Sequence, residues 1–187
     1  MNQDLRQQAA QTAVEAFKAV ERIYRHAYQT LMVLKEEIKT ANNLRFESDM
    51  INCVQSSNDP ASWIYNFKGV YLTRHKFTFD EYKQKLFPVF FLQTSMCNPD
   101  GMEPLIRYGI IRKVFNFSMY KNARFKEFVR EILAELHANN GGEAIKARHC
   151  EAEVEKDEKL LFDLREDSDV VALSKEISEK YGGHLTN

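Results

Sequence analysis

From residue 3 to residue 41 the chain contains neither glycine nor proline, and along that stretch an apolar residue returns in alternating steps of three and four. The residues met are Ala10, Ala13, Phe17, Val20, Tyr24, Ala27, Leu31, Leu34, Ile38 and Ala41. A repeat of about 3.5 residues places all of these side chains on one stripe of one continuous helix, the pattern of a coiled coil. One position of the seam is large (Phe17, Tyr24, Leu31, Ile38), while the other is often alanine (Ala13, Ala27, Ala41). A neighbouring backbone can approach closely at the alanines, and the large side chains fill the space between. Ile23 and Tyr28 flank the seam and widen it, as in helices packed on more than one neighbour. Asn42 and Asn43 supply a stop signal.

The length of this segment has a consequence. A helix of about 38 residues is roughly 57 Å long. A compact body made from residues 42–187 would be only about 38 Å across, so the helix overshoots it by more than two turns. An apolar stripe left bare in water is a liability. The expected cover is the same helix of a second copy, antiparallel, with Phe17, Val20, Tyr24, Leu31, Leu34 and Ile38 as the oligomer seam. The alternative cover lies within the chain, in helices expected over 122–138 and 169–181. The chain thus reads as a coiled-coil-like helix (1–41) followed by an α+β domain (42–187).

Past residue 43 the texture changes. "SDMINCVQS" is a strand candidate, "SNDPAS" a turn, and "WIYNFKGVYLTRHKF" is rich in aromatic and β-branched residues, as strands are. "TFDE" at 78–81 is a capping box, Thr78 the cap and Glu81 reaching back, opening a short helix that ends before Pro88. "PVFFLQTSM" reads as a buried strand, "NPDG" as a turn, and "PLIRYGIIRKVFNFS" (104–118) as a further strand, a choice that Gly109 and the β-branched residues favour over helix. "NARFKEFVREILAELHANNGG" has an Asn cap, one apolar face and a glycine stop, which specifies a helix. Residues 143–165 read as a hairpin with its break at "EKDE", and "SDVVALSKEISEKYGG" as a closing helix capped by Ser168. The class expected is α+β: a long N-terminal helix, then a mixed, mainly antiparallel sheet covered by two or three helices.

Composition limits the function classes. The opening residues are polar, which argues against a secretory signal, and the longest apolar run, "LFPVFFL", is far too short to span a membrane. Three widely spaced cysteines without C-x-x-C argue against a disulfide framework and fit a reducing cytoplasm. Net charge is −1 but unevenly placed, basic over 101–130 and acidic over 143–187. Two oppositely charged surfaces that meet, within one molecule or between two, are the simplest reading.

Catalytic signatures are absent: there is no G-x-S-x-G, Gly-rich phosphate loop, G-x-G-x-x-G or H-E-x-x-H. His149, Glu151 and Glu153, with Glu155, would share one face of a strand and are weak metal-ligand candidates; a solvated, charged edge is the simpler reading. His26, His75, His137 and His184 stand alone. Residues 106–130 interleave cations with aromatics, so Arg107, Arg112, Lys113, Arg124 and Arg130 form a candidate surface for nucleic acid or an acidic partner. The order of elements also resembles the core of PD-(D/E)xK nucleases, where an acid and an acid-x-lysine pair would hold Mg²⁺ and activate water. Here Glu81-x-Lys83 and Asp59 would fill those roles, but the capping box sets Glu81 on a helix rather than a strand. The expectation is therefore a non-enzymatic assembly or adaptor protein. It would self-associate through its N-terminal helix and bind a protein partner through charged surfaces, with no cofactor and no membrane. Nucleic-acid binding and metal-dependent nuclease activity stand as alternatives.

Overall fold

The computed structural model describes residues 3–53, 67–96, 103–117, 124–139 and 142–185. Helix α1 runs unbroken over Gln3–Ala41, 39 residues, about 58 Å at 1.5 Å per residue. It stops at the asparagines. Asn42 donates both its backbone N–H and its side-chain amide to the carbonyl of Ile38, and Asn43 turns into the left-handed region at φ 51°, a conformation asparagine tolerates better than most residues.

Seven strands follow: β1 (Phe46–Glu47), β2 (Ile51–Cys53), β3 (Phe67–Thr73), β4 (Val89–Ser95), β5 (Leu105–Phe115), β6 (Ala144–Lys146) and β7 (Glu151–Leu160). All pair antiparallel in the order β1-β3-β4-β5-β7-β6, and β2 shares the outer edge of β3 with β1, so the sheet is six strands wide. Among the described residues three further α-helices follow: α2 (Phe79–Lys85), α3 (Phe125–Asn139) and α4 (Asp167–Tyr181). The expected α+β class is the observed one.

Alternation along the central strands sorts residues between two cores. Val70, Leu72, Phe90, Leu92, Ile106, Tyr108 and Ile110 point to one face, where Leu31, Leu34 and Ile38 of α1 and Val170, Leu173, Ile177 and Tyr181 of α4 cover them. Phe67, Val89, Phe91 and Ile111 point to the other, under Phe128, Val129, Ile132 and Leu136 of α3. Burial on both faces explains why β4 and the first half of β5 are apolar almost throughout. Gly109 sits at the tightest point of the β5–β7 pair, where an added Cβ would lie 2.0 Å from the carbonyl oxygen of Glu155.

The capping box at α2 is formed, with Glu81 accepting from the Thr78 backbone at 2.6 Å and Thr78 accepting from the Glu81 backbone at 3.2 Å. Two expectations need correction. The hairpin exists, but its reversal lies at 147–150, closed by the Ala147 N–H on the Cys150 carbonyl at 2.9 Å, and "EKDE" lies inside β7. Four charged residues in a row resemble a turn only until the cations opposite them are known. The cap of α4 is Glu166, not Ser168, because Asp169 reaches back to the backbone of Glu166 at 3.0 Å. The turns expected at "SNDPAS" and "NPDG" and the Asn122 cap lie outside the described residues. Among those described, no helix is long and apolar enough to cross a membrane.

Candidate functional site

Helix α1 is two things along one stripe. From Ala27 to Ile38 its apolar positions are sealed against the sheet and α4; Leu31, Leu34 and Ile38 are fully buried. Ile23 and Tyr24 are half-buried at the rim. From residue 5 to residue 22 every residue is exposed, among them Leu5, Val14, Val20 and Phe17, the last 81% exposed. Neither α3 nor α4 reaches this half. Glu15, Lys18, Arg22 and Arg25 fall on the side away from Phe17 and Val20 by helical spacing, while Glu21 flanks Phe17 one turn on and Arg6 lies on the stripe itself. The projection therefore carries an apolar edge and a charged back. It stands clear of the body by about 27 Å, counting 18 residues at 1.5 Å each.

The proposed seam is thus divided. Phe17 and Val20 lie on the free half, Tyr24 at the boundary, and Leu31, Leu34 and Ile38 inside the subunit. Spacing alone identified the stripe. It carried no mark of where the body's cover would end, because that depends on which sheet residues arrive opposite it.

The basic and acidic segments meet within the chain, since β5 and β7 are neighbours. Lys113 pairs with Glu153 at 2.7 Å, Arg112 with Glu155, and Arg107 with Glu158 at 3.3 Å. Arg130 pairs with Glu127 of its own helix at 3.0 Å, and Arg124 is exposed. Arg107 is no surface residue: it is 2% exposed and faces α3. Its guanidinium donates to the carbonyl of Leu136 at 2.7 Å and to Gln93 at 3.3 Å, while Gln93 donates to the carbonyl of Leu133 at 2.7 Å. These two polar side chains, register partners on β4 and β5, both cap the C-terminal part of α3: Arg107 satisfies the Leu136 carbonyl, one of the last four, which lack a donor within the helix, and Gln93 adds a bond to the Leu133 carbonyl. Burial pulls the Arg107 guanidinium below its ordinary value, against the opposing charge of Glu158. Burial, with the nearby Arg107 charge, also lowers His137, whose Nδ1 lies 2.6 Å from the Ser95 hydroxyl.

The metal candidates are engaged elsewhere. His149 Nδ1 lies 2.7 Å from Glu131, whose other oxygen accepts the His149 backbone N–H at 3.0 Å, so this pair anchors the β6–β7 turn on α3. Glu153 faces Lys113, and Glu151 lies beyond the bulge in the β5–β7 pairing. Among the described residues no group of three His, Cys, Asp or Glu side chains is placed to hold a metal ion. Glu81, the acid of the nuclease-like pair, has its carboxylate on the Thr78 backbone and hydroxyl; Asp59 lies outside the described residues. Cys150 is buried, and burial, with Glu131 nearby, pushes its thiol up to about 12, which removes it as a nucleophile.

One concave site escaped the sequence reading. A cleft of about 570 Å³ between the end of β3 and α2 is lined by Arg74, His75, Lys76, Lys85 and the carboxylate of Glu81 over Phe77 and Phe87. Arg74, His75 and Lys76 come from one run and Lys85 from the end of α2, and only the fold brings them around one hollow. Comparison with protein-family models, with curated proteins and with solved structures finds no match to this chain.

Proposed function

We propose that this chain is a non-enzymatic assembly protein of the cytoplasm that self-associates by burying the projecting half of α1 against a second copy. The observation that carries the reading is the bare apolar edge from Ala10 to Val20, which runs through half-buried Tyr24 into a seam that is fully buried at Leu31, Leu34 and Ile38. Monomers seldom leave such an edge in water, and a helix without tertiary packing is marginal on its own. A protein partner of the body would meet surface cations such as Arg124, which no carboxylate among the described residues answers. The nucleic-acid alternative has less support, because Arg107 is internal and Arg112, Lys113 and Arg130 each face a carboxylate.

Sedimentation equilibrium tests the reading. Mass is expected to rise with concentration toward twice the 21.9 kDa of the chain. Phe17→Glu is expected to weaken association by about 30- to 1000-fold, the range for losing a central aromatic contact. Its circular dichroism and thermal midpoint at low concentration should stay unchanged, since Phe17 contacts nothing in the body. A wild-type mass that remains at 21.9 kDa at every concentration contradicts the proposal.

A further inference from the structure

We infer that the two copies pair antiparallel in a single register, with the two-fold axis beside Glu15, so that Phe17 of each helix packs over Ala13 of the other. This rests on the self-association reading and adds orientation, register and the identity of each layer.

Orientation follows from what covers the buried half of the stripe. At Ala27, Leu31, Leu34 and Ile38 the sheet and α4 of the same chain occupy the place that a second helix on this stripe would need. A parallel partner following the seam would run into that body. An antiparallel partner lies along residues 6–24 only, and its own body sits beyond the opposite end. The two bodies then flank a helical pair about 27 Å long, computed from 18 residues at 1.5 Å each.

Register follows from side-chain size. In antiparallel pairs the two seam positions face each other, so the large series must oppose the small one. With the axis at Glu15, Phe17 meets Ala13 of the second copy, Val20 meets Ala10, and Tyr24 meets Arg6, whose guanidinium can lie on the phenol ring. The flanks agree: Val14 faces Val14, Ala16 faces Ala16, and Ile23 faces Ala9. Along the seam every large residue meets a small or flat one, and no charged residue faces another of like sign. A shift of half a heptad toward the body sets Ala10 and Arg6 of the partner against Ala27 and Leu31, which are already buried. The same shift outward sets Ala13 against Ala10, a layer of two small residues with a void between them, and moves Phe17 from the centre of the pair toward its end. One register remains.

Spin labels on the charged back of the helix read this geometry. Gln8, Glu15, Arg22 and Gln29 are exposed and spaced by seven residues, so they share one outer line. Each is changed singly to cysteine in the full chain, with Cys53 and Cys97 replaced by serine and the buried Cys150 retained. Pulsed dipolar spectroscopy of the dimer is expected to give the shortest distance at Glu15→Cys. The axial offset between labels should grow by about 3 Å for each residue moved away from it, because both labels shift by 1.5 Å. One distance common to all four positions, or a minimum elsewhere, overturns the register while leaving self-association intact. A 21.9 kDa species without dipolar coupling overturns both.

A double-mutant cycle gives a second readout. Ala13→Phe alone crowds Phe17 of the partner, and Phe17→Ala alone leaves a void; each is expected to weaken dimerisation about tenfold or more. The double variant exchanges the members of the same layer and should return to within about threefold of wild type. Additive losses in the double variant contradict the Phe17–Ala13 contact.

Discussion

Phe17 and Arg107 invert the usual placement of their residue types: the phenylalanine is 81% exposed and the arginine 2% exposed. Both inversions have a cause. Phe17 stands where the body has ended, and Arg107 stands under the last turn of α3, where open carbonyls need donors. Replacing Arg107 by alanine would leave the Leu136 carbonyl, Gln93 and Glu158 without their partner. The expected loss is about 3 kcal/mol of unfolding free energy, measured by urea denaturation, whereas Arg107→Met, which keeps the volume, should cost less. A near-neutral alanine variant would mean the network contributes nothing. Phe17 was legible in the sequence as a seam residue, since period alone marks the stripe. Arg107 was not, because a basic residue between aromatics reads equally as a rim. The available signal was pairwise: Gln93 and Arg107 are long polar side chains in the stretches of β4 and β5 that are buried on both faces, and they are register partners.

Among elements, the end of α1, the start of α2 and the strands β3 to β5 followed from local chemistry: the asparagine stop, the capping box and the apolar runs. The position of the β6–β7 turn did not, since the charges of β7 make sense only with β5 and α4 beside them. Asp157 shows this. Its carboxylate accepts from Tyr181 at 2.7 Å and Lys180 at 2.5 Å, tying β7 to the end of α4. Burial raises its proton affinity, but these hydrogen bonds and the Lys180 charge outweigh that and hold Asp157 below the ordinary carboxylate range. A carboxyl depressed in the folded state adds stability that is present above its unfolded value and lost as pH falls through its folded value. Asp157→Asn is therefore expected to be less stable than wild type near neutral pH, with the gap closing as the pH drops below about 4. Thermal midpoints across an acid series check this. A gap that stays constant to the lowest pH would separate the loss from the charge.

For the whole molecule, two cores on either face of one sheet account for nearly all the apolar residues of the central strands, and α1 lends only its C-terminal half to them. The other half is an arm. Its exposed apolar edge was legible as an excess of helix length over body diameter, a comparison of two sizes that needs no contact map. What the sequence left open was how much of the arm the body would shelter, because α4 closes over α1 from far along the chain. The central claim is that residues 5–22 become sheltered only when a second copy arrives. Hydrogen exchange of their backbone amides at low and high protein concentration tests it most directly. Protection should rise with concentration across this segment, while residues 27–38, already sealed within the subunit, exchange at a rate independent of concentration. Exchange of residues 5–22 that is equally fast, or equally slow, at every concentration would contradict it.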